Sequence, residues 1–201
     1  MSALTVTARV VLAALLGVEG AAALTRFQAR KDRFAEAAAR AAATGRTLVV
    51  VGDPHSGAHT RLLAAYDCGD VCVDLTGCPA CPVGVAVDLT TGRVTAVPDN
   101  SAVVYVSCVL EYLPDPDAAV REVLRMAGDP ANLFLVTVQA WTATAALYPG
   151  AAFAVTRHED GIRSAPVSVG RKVATVAVIG LLAAFAAGAA GRGGEDDEAP
   201  R

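Results

Sequence analysis

The chain has 201 residues, enough for one domain with its own core and too few for two comfortable ones. Its net charge of -3 and aromatic fraction of 5% supply neither the basic footprint nor the stacking surface of a nucleic-acid binder. The hydrophobic fraction is 54%, above the usual soluble range, and much of it lies at the two ends.

Residues 1–25 read as an apolar N-terminal helix. The run Val6–Leu24 contains Arg9 and Glu19, and its uninterrupted part is Val10–Val18. Each charge would cost about 2.5–3.5 kcal/mol at the centre of a membrane helix. The run fits a membrane anchor, an interfacial or domain-packed helix, or a signal peptide. Residues 26–45 read as a basic helical linker (FQARKDRFAEAAARAAA, then Thr44-Gly45 as its stop), with Glu36 and Arg40 at a favourable i,i+4 spacing.

Residues 46–170 alternate short apolar runs with helical patterns. Strands are expected at Thr47–Val51, Val71–Leu75, Val83–Leu89, Ala102–Val106 and Asn132–Val138. Helices are expected over Ala58–Ala65, Pro116–Met126 and Trp141–Tyr148; Asp115-Pro116-Asp117 supplies a cap, a first-turn proline and a favourable acid for the second. Asp160-Gly161 between Ala152–His158 and Ile162–Val169 signals a hairpin. The expected fold is α/β: a Rossmann-like, mostly parallel sheet with helices on both faces and a C-terminal antiparallel hairpin, flanked by apolar helices.

The run Val173–Ala190 carries no charge and gives residues 171–191 the reading of a transmembrane helix, with a buried Ala-rich helix as the alternative; 192–201 is an acidic tail. Arg26, Arg30, Lys31, Arg33, Arg171 and Lys172 flank the middle domain. The positive-inside rule then predicts a membrane protein with its folded domain on the cytosolic side. Five cysteines, an odd count, agree with a reducing compartment.

Two stretches carry a family resemblance. VVVGDPHSG (Val49–Gly57) is a strand, a glycine-containing turn and a helix start. VPDNSAVVYVSCVLEYLPDPDAAVREVLRMAGDP (Val97–Pro130) joins a Pro-Asp-Asn-Ser turn, a strand, Val109-Leu110-Glu111-Tyr112-Leu113 and a Pro-Asp-Pro-capped helix. Together they resemble class I S-adenosylmethionine-dependent methyltransferases over Leu48–Gln139. The resemblance implies S-adenosylmethionine as cofactor, with Gly52, Asp53, His55 and Gly57 in the first turn, Asp74 as ribose acceptor, Asp88 beside the adenine amine and Ser107 at the mouth. Two departures stand out. Aligning Gly57 with the family's last glycine puts His55, Asp53 and Val51 where two glycines and an acid are expected, and Pro54 removes a backbone donor. The implied function is a membrane-anchored methyltransferase-like protein acting on a small or lipid-proximal acceptor. The alternative is an inactive protein of the same fold, serving in membrane-associated structure or assembly.

Cys68-x3-Cys72-x5-Cys78-x2-Cys81 is open to zinc, to a redox pair at Cys78/Cys81 and to simple packing; packing is the expectation, with no metal. His55 and His59 read as solvated, and Tyr112 and Cys108 as packing residues.

Overall fold

The computed structural model describes residues 3–56, 65–137, 153–158 and 161–166, with single helical positions at 177, 180, 181 and 184. Five short strands make one parallel sheet: β1 (Thr47–Val51), β2 (Val71–Asp74), β3 (Gly84–Ala86), β4 (Ala102–Ser107) and β5 (Leu133–Val136). Their order is β3-β2-β1-β4-β5. Strand order therefore reverses at β1, so its carboxyl end, between β2 and β4, is a topological switch point. The α/β expectation holds; four of the five strands lie within a residue or two of their predicted runs, and β3 is shorter, ending three residues before the expected Leu89.

The central strands β1 and β4 are mostly apolar because both faces are covered, whereas the edge strand β3 is largely exposed. Val49, Val51, Val71, Val73, Val104 and Val106 face α2 (Pro116–Ala127), meeting Ala119, Val120, Val123, Met126 and Ala127. Those α2 residues recur at helical spacing and form one apolar stripe. Asp115 Oδ1 caps the helix by accepting from the Ala118 N–H at 2.9 Å. Gly128 ends it at φ +71°, its N–H donating to the Leu124 carbonyl at 2.7 Å.

Leu48, Val50, Cys72, Val103 and Tyr105 face the other way, towards α1 (Ala3–Thr44). Ala37 and Ala41 are buried on this face, small enough to let the helix approach the sheet closely. Phe34 meets Tyr105 edge-on at 5.5 Å between ring centroids, and the Tyr105 hydroxyl donates to the Arg30 carbonyl at 3.3 Å. The segments read as N-terminal helix and linker are thus one helix, whose C-terminal half packs on the sheet. Its end is as expected, at Gly45 with φ +64°. Glu36 pairs with Arg33 instead of Arg40, and Arg40 donates to Asn132 Oδ1 at 3.2 Å.

The connection from β3 to β4 is held by a buried acid. Glu122 Oε1 accepts from the Val94 N–H at 2.8 Å and from Arg125 Nη2 at 2.7 Å, while Arg125 also donates to the carbonyls of Val94 and Val97.

Three expectations change. β6 (Phe153–His158) and β7 (Gly161–Pro166) pair antiparallel, but as a separate two-stranded sheet beside α2 and the Leu110–Tyr112 turn; among the described residues the main sheet is parallel throughout and is not extended by a terminal hairpin. No apolar flanking helix of the expected kind is present among the described residues: none is long and apolar enough to cross a membrane. The first run carries Arg9 and Glu19 within α1; the second, 173–190, lies outside the described residues except at Ala177, Gly180, Leu181 and Ala184, which are helical. The expectation of a membrane-held chain with its domain facing the cytosol is therefore not supported. The basic flank that set the orientation also has another use, since Arg26 and Arg30 are partly buried against the domain. The helices expected over 58–64 and 141–148, His59, and the acidic tail lie outside the described residues.

Candidate functional site

The first turn leaves β1 at Gly52, whose N–H still bonds the Val73 carbonyl at 2.9 Å. Gly52 adopts φ +102°, a conformation an L side chain resists. A Cβ there would lie 2.9 Å from Val109 Cγ2 and 3.2 Å from the Ser107 carbonyl. The turn after β1 and the turn after β4 are therefore in close contact.

Asp53 is buried, and its backbone N–H donates to Asp74 Oδ2 at 3.2 Å. Its own carboxylate accepts the His55 N–H at 2.8 Å, and its carbonyl accepts the Ser56 hydroxyl at 3.0 Å. It is a turn-forming residue first. Asp74, ending β2, also accepts the Thr76 N–H and hydroxyl, both at 3.2 Å. Each carboxylate oxygen of Asp74 is thus engaged, with lone pairs to spare.

The remaining predicted residues divide. Ser107 ends β4 beside Gly52 and is buried. Asp88 lies past β3 and turns back on itself: Oδ1 accepts the Thr90 N–H at 2.8 Å and the Thr90 hydroxyl at 2.6 Å, which lowers its pKa. His55 leans away towards the cysteines, its Nε2 3.6 Å from Cys68 Sγ. Gly57 lies outside the described residues. The fold thus gathers Gly52, Asp53, Asp74 and Ser107 at the switch point, and places Asp88 and His55 on other duties.

Sequence reasoning missed the polar groups that α1 brings to the end of β4. Arg26 and Arg30 both act electrostatically on the Cys108 thiol. Arg26 Nη1 and Arg30 Nε are buried nitrogens with no hydrogen-bond partner among the described residues, while Arg30 also bonds Cys108, Ser107 lies within hydrogen-bonding reach of the Tyr66 and Tyr105 hydroxyls, and the buried Glu111 acts on the same thiol. The spacing of Arg26 and Arg30, one helical turn apart and in line with the buried Ala37 and Ala41, was the available signal. Tyr66 completes the wall, its hydroxyl 3.4 Å from the Gly52 carbonyl.

The chemistry of this wall is quiet. Burial pushes the Cys108 thiol up, helped by Glu111 and opposed by Arg30 and Arg26. Burial also raises the Tyr66 and Tyr105 phenols. None of these groups is set up as a base or nucleophile near neutral pH. The site can bind and orient.

The cysteines are not simple packing residues. Disulfides join Cys68 to Cys81 and Cys72 to Cys78, leaving Cys108 free. The inference of a reducing compartment from unpaired cysteines loses its basis. Ligand-capable atoms of Asp53, Cys72, Cys78 and Cys81 lie within 4.8 Å of one another, as do those of His55, Cys68 and Cys81.

No known protein-family model matches the chain, and no curated protein or solved structure matches it at a significant level.

Proposed function

We propose that this chain is a methyltransferase-like protein that takes S-adenosylmethionine, or a nucleoside of that shape, at the carboxyl ends of β1, β2 and β4. The carrying observation is a pair of buried guanidinium nitrogens left without a hydrogen bond among the described residues beside the end of β4: Arg26 Nη1 and Arg30 Nε. Buried donors of this kind are nearly always satisfied, and with Glu111 as the one buried carboxylate among the described residues that acts on Cys108, two guanidinium groups leave room for one anionic partner such as an amino-acid carboxylate. Asp74 supplies the acid expected opposite ribose hydroxyls, two strands from Ser107 across the switch point. S-adenosylmethionine, when bound, supplies an activated methyl group. The chain's own residues bind and orient: Arg26 and Arg30 hold the anionic end, Asp74 the sugar, and the Gly52 turn sets the floor. Such transfer is chiefly positioning, in keeping with the absence of a poised base among these groups. The acceptor on this reading is a small molecule.

A second reading, an inactive domain of the same fold used in structure or assembly, is favoured by two observations. Asp74 is already bonded to Asp53 and Thr76, and Val109 packs closely on the Gly52 turn. Calorimetry on the full chain separates the two. Saturable heat with S-adenosylmethionine and S-adenosylhomocysteine supports the ligand-binding reading; no heat with either at about 1 mM, the affinity of a contact worth roughly 4 kcal/mol, leaves the inactive one.

A further inference from the structure

Four cysteines from two short segments meet on the α1 face of the sheet. Cys68 lies just before β2 and Cys72 within it, and Cys78 and Cys81 lie on the 75–83 connection that leads to β3. That connection joins neighbouring parallel strands without a helix, so little besides the cysteines fixes its path. Cys72 and Cys78 are 0% and 2% exposed and Cys68 is buried, while Cys81 is partly exposed.

We propose that the same four sulfurs form a zinc centre when the disulfides are reduced. The spacing suits it. A tetrahedral tetrathiolate with Zn–S bonds of about 2.3 Å has sulfurs roughly 3.8 Å apart. The sulfurs of Cys72, Cys78 and Cys81 already fall within 4.8 Å of one another, and Cys68 is bonded to Cys81. Cys78-x2-Cys81 forms a tight turn, the Cys81 N–H donating to the Cys78 carbonyl at 3.0 Å, which presents two sulfurs to one point. The Asp53 carboxylate belongs to the same cluster, so the local charge favours a cation. His55 Nε2 beside Cys68 is placed to support a ligand.

The chemistry balances simply. Two equivalents of a dithiol deliver the electrons and protons that convert the two disulfides to four thiols, and leave as their own disulfides. Zn²⁺ then displaces the thiol protons to solvent as the four Zn–S bonds form. The metal replaces the covalent staples, so the β2–β3 connection keeps its path in either redox state. This inference is independent of the nucleoside reading.

The test uses the full chain, reduced with a dithiol, exchanged into dithiol-free buffer, incubated with a slight excess of Zn²⁺ or Co²⁺ and freed of unbound metal. Elemental analysis is expected to find one zinc per chain, and cobalt substitution to give thiolate-to-metal charge-transfer bands with tetrahedral ligand-field absorption. Zinc is expected to shield Cys68, Cys72, Cys78 and Cys81 from alkylation until a chelator is added, a readout that needs no variant. Cys81→Ser, at the partly exposed position, is expected to lose the stoichiometric metal while keeping its far-ultraviolet circular dichroism. A reduced, folded chain that takes up neither zinc nor cobalt overturns the proposal, as does metal uptake that leaves those four cysteines open to alkylation.

Discussion

The backbone N–H of Asp53 donates to Oδ2 of Asp74 across 3.2 Å, tying the turn after β1 to the end of β2. One carboxylate thereby does two things. It holds the first turn against its neighbouring strand, and it keeps an acid at the switch point. Asp74→Ala removes this bond and both bonds to Thr76. The expected cost is about 1–2 kcal/mol of stability, read from denaturant midpoints at unchanged slope, because a bond to a charged acceptor is worth more than a neutral one. Binding of S-adenosylhomocysteine should fall by more than about tenfold, beyond what that stability loss accounts for, equivalent to at least 1.4 kcal/mol.

Gly52→Ala should be the most damaging single-methyl addition in the first turn. The position has φ +102°, and the new Cβ would press on Val109 at 2.9 Å. A conformational cost of about 1–3 kcal/mol adds to whatever shift Val109 makes. Thermal unfolding of the full chain should register a drop of several degrees. Val109→Ala in the same background should recover part of the steric share and none of the conformational share.

Arg30→Met separates a binding role from a structural one. Among the described residues its guanidinium bonds only Cys108, a weak partner, and its buried Nε has no hydrogen bond, so an apolar side chain of similar length should leave the unliganded protein about equally stable. Ligand affinity should nevertheless fall. A purely structural arginine would move the two measurements together, with stability lost.

Much of the sheet was legible because buried parallel strands are short, β-branched and bounded by turn residues. TLVVV and AVVYV could hardly be anything else once Gly52 and Pro98-Asp99-Asn100 closed them off. The α2 cap was equally readable, since Asp115-Pro116-Asp117 carries its own physics. The role of the basic flank was not legible: Arg26 and Arg30 follow an apolar run and read as its charged border, and that they turn in towards Cys108 is a tertiary fact. Asp88 was read as a ligand acid because it follows a strand, but Thr90 two residues later offers its hydroxyl and N–H, a local pairing that wins. The disulfides were illegible because spacing alone does not say which sulfurs meet.

Acid stability should depend on Glu122. Burial works to raise its pKa, but the bonds from Arg125 and from the Val94 N–H outweigh burial and hold it below the ordinary carboxylate range. A depressed folded pKa means that the group stabilises the fold fully above its unfolded pKa, near 4.3, and progressively less as the pH falls through the folded value. Glu122→Gln should therefore cost about 2–3 kcal/mol at neutral pH, where Arg125 loses its partner. The gap between variant and native chain should stay constant above roughly pH 5 and close as the pH falls below about 4. Urea unfolding at a series of pH values measures it.

The most direct test of the switch-point site is a titration of the ¹⁵N-labelled full chain with S-adenosylhomocysteine, followed residue by residue. The account predicts saturable shifts at the amides of Gly52, Asp53, Asp74 and Ser107, with the Asp53 amide moving as its bond to Asp74 adjusts, and little change at Thr90 beside Asp88. A spectrum that does not move, or shifts that cluster around Asp88 and leave Asp53 and Ser107 untouched, would contradict it.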